Sequence, residues 1–360
     1  MKSGALIACA ILLGQTRPAA AATPEAPRHV EGDFVAENFR FASGESLPEV
    51  RIHFTALGKP HRNAQGRVDN AVLLLHGMNA SGRSFLTERF AGVLFGKDQP
   101  LDINRFYVIL PDAIGHGTSS RPSDGLHMQF PHYNIADMVQ AQYLLLADLQ
   151  VDHLRLVLGT STGCLQTWLW GEQHPELIDA LMPLACLPVP IAGRNRVWRE
   201  LIVEAIRSDP EWQQGEYKVE PAAALRNAAG LLLLSGSAPL PMQTALPTRA
   251  AADGFVAEYM NRELPVLDAN DLLYQVDASA EYDASDGLEK IRAPVMWVNS
   301  ADDFTNPPEL GIAERQVKRL KNGRFVLLPA SDQTHGHGTP VWAAVWRQYL
   351  EQLLALPSPP

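Results

Sequence analysis

The segment LRLVLGTSTGC, which runs from Leu154 to Cys164, constrains the fold of this chain more than any other stretch. Its apolar first half predicts a buried strand, and the pattern that follows from Leu165 predicts a helix. Between them stands Gly-Thr-Ser-Thr-Gly, the G-x-S-x-G pattern of a sharp strand-to-helix turn with an exposed serine. The two glycines suit such a turn because larger side chains would collide with neighbouring strands. We therefore predict that Ser161 is a nucleophile and that the following helix aims N–H groups at developing negative charge.

A serine hydroxyl is a poor nucleophile until a base takes its proton, and the C-terminal third of the chain supplies candidates for that base. One predicted strand there is followed by a loop with two adjacent acids, Asp302 and Asp303. The next predicted strand is followed by a loop with two histidines, His335 and His337. Ligands of open α/β sheets bind at the carboxyl edge of the strands, so an acid and a histidine from these loops can meet Ser161 there.

One residue of each pair fits the site better than the other. Asp303 stands four residues before Pro307, a common spacing for the acid in such a loop, whereas Asp302 suits a loop or helix-capping role. His337 lies between two glycines, which let the backbone bend close to the site, and a predicted helix begins just after it. We predict Asp303 as the acid and His337 as the base, with Asp302 and His335 as the alternatives.

Two backbone amides and two further histidines belong to the same edge of the predicted sheet. An oxyanion hole uses the N–H after the nucleophile and a second N–H from a neighbouring loop, which predicts the amides of Thr162 and Met78. His76 and His116 each follow or end a predicted strand, and we expect both to be structural rather than catalytic. No metal site is expected, because no Cys or Glu accompanies the loop histidines at ligand spacing.

Apolar runs alternate with helical patterns along the chain, which predicts an α/β fold with a mostly parallel sheet covered by helices on both faces. An N-terminal antiparallel pair is expected at residues 34–41 and 50–57. The remaining strands are predicted at residues 72–76, 106–111, 154–159, 180–187, 295–299 and 325–328. Between them, helices are expected at residues 135–149 and 165–174.

Strand signals vanish between residues 187 and 290, where helical patterns are broken at Pro210 and Gly215. We therefore predict a core formed by residues 23–187 and 291–360, with residues 188–290 inserted as a helical lid. Lids of this kind exclude water and set specificity. The lid contains five aromatic residues that either line the substrate pocket or attach the lid helices to the core: Trp198, Trp212, Phe255, Tyr259 and Tyr274.

Three other segments accompany the serine turn along the chain, at residues 104–109 (NRFYVI), 133–139 (YNIADMV) and 209–212 (DPEW). In this order they resemble the homoserine O-acetyltransferase-like family of the α/β-hydrolase superfamily, from about residue 34 to about residue 354. The resemblance implies an α/β-hydrolase fold and a triad of Ser161, Asp303 and His337. In that family the triad passes an acetyl group from coenzyme A to homoserine, and the lid often forms a dimer contact.

The chain departs from the transferase pattern of that family at two places. Residues 114–125 resemble a generic hydrolase loop, where the transferases have a glycine-rich Gly-Ser-Thr-Gly-Pro stretch. The turn reads Gly-Thr-Ser-Thr-Gly-Cys, where the family usually has Gly-Gly-Ser-Met-Gly-Gly. The resemblance therefore implies the fold and the triad, whereas the residues that would bind homoserine and acetyl-CoA are not matched one by one.

The N-terminus has the pattern of a secretory signal peptide, residues 1–22. Lys2 precedes an apolar run at residues 5–13, and a small-residue stretch ends at Ala22, where we predict cleavage. The run is too short to serve as a membrane anchor. We therefore expect export to the periplasm or the medium, where acetyl-CoA is not normally supplied.

Composition excludes some partners and leaves one question open. The net charge of −10 argues against binding to nucleic acid or anionic membranes, which requires a basic face. Cys164 and Cys186 would remain after cleavage, and we expect both to be small buried hydrophobic residues, with a disulfide as the alternative.

Together these features predict acyl transfer through a covalent intermediate on Ser161, without a cofactor. We expect an exported hydrolase that acts on a small-molecule ester or related acyl substrate. The alternatives are a homoserine O-acetyltransferase-like enzyme that uses acetyl-CoA and a non-catalytic binding protein on a hydrolase scaffold. From the resemblance we also expect a homodimer through the lid.

Overall fold

The computed structural model describes residues 29–357, so the predicted signal peptide lies outside the described residues. Within this range eight strands form one sheet. In chain order they are β1 (His29–Arg40), β2 (Ser46–Leu57), β3 (Ala71–Leu75), β4 (Tyr107–Pro111), β5 (Leu156–Thr160), β6 (Leu181–Leu184), β7 (Val295–Ser300) and β8 (Gly323–Leu328).

The strands follow the order β1-β2-β4-β3-β5-β6-β7-β8 across the sheet. β2 pairs antiparallel with β1 and with β4. From β4 to β8 all neighbouring strands run parallel. Every residue of β3, β4 and β5 is buried, because apolar side chains on both faces of these strands are covered. The prediction of a mostly parallel sheet is confirmed.

Helices cover both faces of the sheet. Those in the described range are α1 (Ala91–Leu94), α2 (Ile135–Asp148), α3 (Thr162–Gln173), α4 (Gly193–Arg207), α5 (Ala222–Gly236), α6 (Pro239–Ala245), α7 (Arg249–Glu263), α8 (Ala269–Asp277), α9 (Ile312–Gln316) and α10 (Ala343–Leu354). Along β5, Val157 packs on the side of α2 and α3, whereas Leu156 and Leu158 pack on the side of α1 and α10. The sheet thus lies between two apolar layers.

Short turns of 3₁₀ helix connect many of these elements. They span Gly82–Leu86, Pro122–Asp124, His127–Gln129, Pro210–Gly215, Leu264–Val266, Ser285–Lys290, Pro308–Leu310, Val317–Arg319 and Gly336–Val341. The last of these follows β8 and lies at the carboxyl edge of the parallel strands.

β6 is shorter than the strand predicted at residues 180–187, because the chain turns at Ala185. Ala185 has a φ of 59°, in the left-handed region that strand residues do not adopt. Its carbonyl oxygen accepts a hydrogen bond from Asn306 Nδ2 at 3.0 Å. The residues after β6 therefore lie beside the loop that follows β7, and they line a cavity at the end of β5.

The segment between β6 and β7 contains the five helices α4–α8. Gln213 and Gln214 have φ of 50° and 59°, so the chain bends sharply between α4 and α5. Helices α4, α5 and α8 share an apolar cluster that is separate from the two layers on the sheet. The division into core and lid at residues 188 and 290 stays a prediction. No helix within residues 29–357 is long and apolar enough to cross a bilayer.

Candidate active site

Ser161 forms the turn between β5 and α3 with a strained backbone. Its φ of 53° and ψ of −113° lie outside the regions that non-glycine residues favour. The Ser161 N–H donates to the carbonyl oxygen of Leu184 at the end of β6, with an N···O distance of 3.0 Å. This hydrogen bond holds the turn at the carboxyl edge of the sheet.

Two glycines allow the turn to pack against the neighbouring strand. A Cβ atom on Gly163 would lie 2.0 Å from the carbonyl oxygen of Leu75 on β3. A Cβ atom on Gly159 would lie 2.0 Å from the carbonyl oxygen of Gly163. Both contacts are with backbone, which cannot rotate away, so this turn requires glycine at both positions.

A continuous chain of hydrogen bonds joins Ser161, His337 and Asp303. Ser161 Oγ lies 2.7 Å from Nε2 of His337, in the 3₁₀ helix after β8. His337 Nδ1 lies 3.0 and 3.1 Å from the two carboxylate oxygens of Asp303, in the loop after β7. The structure thus gives these three predicted residues the geometry of a nucleophile, its base and an orienting acid.

Asp303 is buried and receives several hydrogen bonds. The N–H groups of Thr305 and Asn306 donate to its Oδ1 at 2.7 and 3.2 Å, and Asn306 Nδ2 donates to its Oδ2 at 3.0 Å. Burial acts to raise the pKa of Asp303, but the charge of His337 and these hydrogen bonds outweigh it and lower the pKa. Asp303 therefore stays ionised and holds the His337 Nδ1–H.

The alternatives Asp302 and His335 lie outside this chain of hydrogen bonds. Asp302 accepts hydrogen bonds from Ser300 and from Thr334 Oγ1, the latter at 2.8 Å. The ring of His335 stacks on Trp342 with centroids 3.9 Å apart. Burial is the main cause that lowers the pKa of His335, which favours its neutral form. Both residues therefore hold the loop after β8 in place.

Met78 and Thr162 each stand next to a residue of the serine turn or of the loop that contacts it. Thr162 is the first residue of α3, and Met78 follows Gly77, where a Cβ atom would lie 3.2 Å from Ser161 Cβ. In the part of the chain that the structure describes, neither N–H donates to a protein acceptor. Two free donors next to the nucleophile are what an oxyanion hole requires.

His76 and His116 form hydrogen bonds within the sheet edge and do not reach Ser161. His76 Nδ1 donates to the Gly77 carbonyl at 2.8 Å, and its Nε2 accepts the N–H of Ala113 at 3.0 Å. Burial lowers the pKa of His76, and burial together with His76 lowers the pKa of His116 to about 3. Both rings are neutral and structural. Within residues 29–357, no group of three or more metal-ligating side chains is arranged to hold a metal ion.

A cavity of about 190 Å³ opens beside Ser161 and His337. One wall is the segment after β6, and the other is the loop and 3₁₀ helix after β7. Most of the lining is apolar and includes Leu165, Cys186, Leu187, Val189, Ile191 and Leu310. The volume and lining suit a small substrate with a short apolar portion.

Comparison with known proteins shows the family of this chain. The family profile of the alpha/beta hydrolase fold matches residues 70–334. The homoserine O-acetyltransferase of Citrifermentans bemidjiense is 30% identical over 337 residues, which cover 83% of this chain and 89% of that protein. The chain belongs to the α/β-hydrolases, in the homoserine O-acetyltransferase-like family.

Solved structures of this fold include both transferases and esterases. The homoserine O-acetyltransferase from Bacillus anthracis aligns with a TM-score of 0.81 at 18% identity, over 92% of this chain and 98% of that one. The acetyl esterase MekB aligns with a TM-score of 0.78 at 24% identity, over 91% of this chain and 97% of that one. This chain is thus an α/β-hydrolase-fold enzyme of a group that contains acyltransferases and esterases.

Arg199 on α4 is a residue of this α/β-hydrolase site that the sequence analysis missed. Its side chain is buried, lines the cavity beside Ser161 and bonds to Asn195 Oδ1 at 3.0 Å and Ser279 Oγ at 3.2 Å. Among the described residues it has no carboxylate partner. Burial, assisted by Arg196, lowers its pKa to about 10, so it stays charged at neutral pH. The sequence signal that could have identified Arg199 is a charged residue on the apolar face of a helical pattern after residue 187.

The aromatic residues of the predicted lid do not line this α/β-hydrolase cavity. Trp198 and Trp212 lie in the apolar cluster of α4, α5 and α8, and Tyr274 lies in the core under the sheet. Phe255 and Tyr259 line a separate pocket beside His335. All five therefore serve packing or other surfaces, and the cavity is lined instead by the segment after β6 and by Arg199.

Cys164 and Cys186 are joined by a disulfide, with Cα atoms 5.9 Å apart. Both residues are buried, as expected, and the structure contains the disulfide that the sequence left as the alternative. The pairing depends on the turn at Ala185, because that turn directs Cys186 away from the strand and towards the first turn of α3.

We predict that Asp303→Asn lowers kcat for p-nitrophenyl acetate by about 10⁴-fold, because the amide no longer holds the correct His337 tautomer. Asp302→Asn is the matched control, and it should keep most of the kcat because its hydrogen bonds to Ser300 and Thr334 only support a loop. Steady-state kinetics with circular dichroism of both variants checks this. A large loss in Asp302→Asn with retention in Asp303→Asn would reverse the assignment.

Proposed function

We propose that this enzyme is an exported hydrolase that transfers the acyl group of a small-molecule ester to water through an acyl-Ser161 intermediate. The observation that carries the proposal is the chain from Ser161 Oγ through His337 to Asp303, with Oγ···Nε2 at 2.7 Å. Such an arrangement activates a serine hydroxyl that is otherwise a weak nucleophile.

The reaction proceeds in two halves. His337 Nε2 takes the proton of Ser161 as Oγ attacks the carbonyl carbon, and the N–H groups of Thr162 and Met78 hold the resulting oxyanion. His337 then gives the proton to the leaving oxygen, which departs as an alcohol and leaves the acyl group on Ser161. Water attacks this ester, with His337 as base, and the collapse of the second tetrahedral intermediate returns the proton to Ser161. Asp303 stabilises the imidazolium that forms in each half.

Two features support water as the acceptor and export as the location. The signal-peptide pattern of residues 1–22 supports a location outside the cytoplasm, where acetyl-CoA is not normally supplied. The Cys164–Cys186 disulfide supports the same compartment, because disulfides persist in oxidising environments and are rare in the reducing cytosol.

Arg199 favours a second candidate, the transfer of an acetyl group to homoserine. A buried guanidinium without a carboxylate partner is costly unless a ligand supplies the anion. Arginine binds carboxylates through paired N–H groups, and an amino-acid acceptor carries such a carboxylate. Relatives named homoserine O-acetyltransferase support this candidate.

The two candidates are separated by one assay of the protein from residue 23, with Ser161→Ala in parallel. We expect the wild type to hydrolyse short p-nitrophenyl esters and Ser161→Ala to fall to background, because the nucleophile is gone. Acetyl-CoA with and without homoserine is tested separately by following free thiol. Homoserine-dependent release of coenzyme A would replace hydrolysis with the transferase, and no turnover in either assay would contradict both.

We predict that Arg199→Leu raises KM for an ester that carries a carboxylate by roughly 10- to 100-fold, because a charged hydrogen bond is lost. The KM for neutral p-nitrophenyl acetate should change little. Arg207→Met, an exposed arginine on the same helix, is the control and should leave both substrates unaffected. Equal effects of Arg199→Leu on charged and neutral esters would argue against an anion-binding role.

We also propose a homodimer through helices α4, α5 and α7. Leu201, Leu234 and Val256 are 50%, 61% and 45% exposed, and they line one shallow groove between these helices. Apolar patches on a surface commonly mark interaction sites. Light scattering after size exclusion should give twice the chain mass, and Leu201→Glu with Val256→Glu should give the monomer mass. A monomeric wild type at micromolar concentration would contradict the dimer.

A further inference from the structure

The Cys164–Cys186 disulfide lies directly behind the predicted nucleophile. Cys164 is in the first turn of α3, and its N–H donates to the carbonyl oxygen of Ser161 at 2.9 Å. Both cysteines are buried, and Cys186 forms part of the cavity wall. The bond therefore joins the turn that carries the nucleophile to the surface that faces the substrate.

On the β6 side, Cys186 belongs to a segment that hydrogen bonds from β7 hold in place. The carbonyl oxygen of Cys186 accepts hydrogen bonds from Trp297 Nε1 at 3.0 Å and from Asn299 Nδ2 at 3.3 Å, both on β7. The preceding carbonyl, that of Ala185, accepts from Asn306 Nδ2, which also donates to Asp303. Asn306 thus holds both this segment and the acid of the triad.

On the α3 side, the helix packs against β6, and the disulfide adds a covalent link to these non-covalent contacts. The Ser161 N–H donates to Leu184, whereas the N–H of Thr162 must stay free to donate to an oxyanion. The position of that N–H relative to the cavity depends on how the first turn of α3 sits against the end of β6. The disulfide spans this contact three residues after Ser161.

We propose that the Cys164–Cys186 disulfide is a positioning element for acyl transfer, which fixes the Thr162 amide against the cavity wall where the substrate carbonyl binds. Cys164 and Cys186 are positioning residues, since neither touches the reacting atoms. The inference deepens the proposed function and rests on it. The competing explanation is a bond that only stabilises the fold by closing a loop of 22 residues.

The two explanations predict different values of kcat per folded active site once the disulfide is removed. The test uses Cys164→Ala/Cys186→Ala, and the concentration of active sites is measured by covalent titration of Ser161 with a fluorophosphonate. We expect kcat per titrated site for p-nitrophenyl acetate to fall about 10- to 100-fold, because a displaced oxyanion donor weakens transition-state stabilisation. Unchanged kcat per titrated site would overturn the proposal in favour of general stabilisation.

Met182→Ala provides the matched control for lost stability. Met182 lies on the same strand β6 but packs in the opposite apolar layer, away from the disulfide. This variant should lower Tm through a core cavity, while kcat per titrated site stays at the wild-type value. If Met182→Ala lowers kcat per site as much as the double variant does, the effect belongs to general loosening and the proposal fails.

Reduction of the folded wild type tests the proposal even if the double variant does not fold. Folded wild type is reduced with a phosphine, which breaks the S–S bond to two thiols and is itself oxidised to the phosphine oxide with the oxygen of water. The same loss of kcat per site is expected, and full recovery should follow reoxidation. Reduced enzyme with unchanged kcat per site would overturn the proposal.

Hydrogen exchange separates this proposal from the proposed function. We expect faster exchange at residues 161–166 and 184–187 in the double variant, with β3 and β4 unchanged. If the wild type turns over no ester, the proposed function fails, and exchange still decides whether the disulfide positions the turn. Equal exchange with and without the bond would overturn the positioning role.

Discussion

The contact between the first turn of α3 and the end of β3 is the constraint on which the rest of this structure depends. Gly163 approaches the Leu75 carbonyl so closely that no side chain fits between them, and Ser161 takes up the change of direction in a strained conformation. Strain of this kind costs about 1–3 kcal/mol and persists only where the surroundings fix it. Pairing of β5 with β3 and β6, between two apolar layers, supplies that support.

The same edge of the sheet brings the other chemical groups to the serine. His337 and Asp303 follow neighbouring parallel strands, so their loops emerge side by side. Asn306 links the acid of the triad to the cavity wall, because its amide group donates both to Asp303 and to the carbonyl of Ala185. A single buried side chain thus contacts both the acid and the cavity wall, and its hydrogen bond adds to the effect of His337 in lowering the pKa of Asp303.

The helices between β6 and β7 add a buried charge to a site whose other reactive groups follow strands of the sheet. α4 contributes Arg199, the buried cation of the cavity, and hydrogen bonds to Asn195 and Ser279 hold it there. The apolar cluster of α4, α5 and α8 gives these helices a core of their own, which keeps the arginine in position without a carboxylate partner among the described residues. The cavity therefore combines a mostly apolar wall with one fixed positive charge.

The sequence by itself determined the parallel sheet, the turn at Ser161 and the loops that carry Asp303 and His337, because each has a local signal. Buried parallel strands are short apolar runs, the turn has two obligatory glycines, and the spacing to Pro307 and the flanking glycines separate Asp303 and His337 from their neighbours. Only the tertiary structure decided the early end of β6 at Ala185, the disulfide, the place of Arg199 and the packing role of the lid aromatics. Each of these depends on segments far apart in the chain that meet at one point, and no local pattern of residues encodes such a meeting.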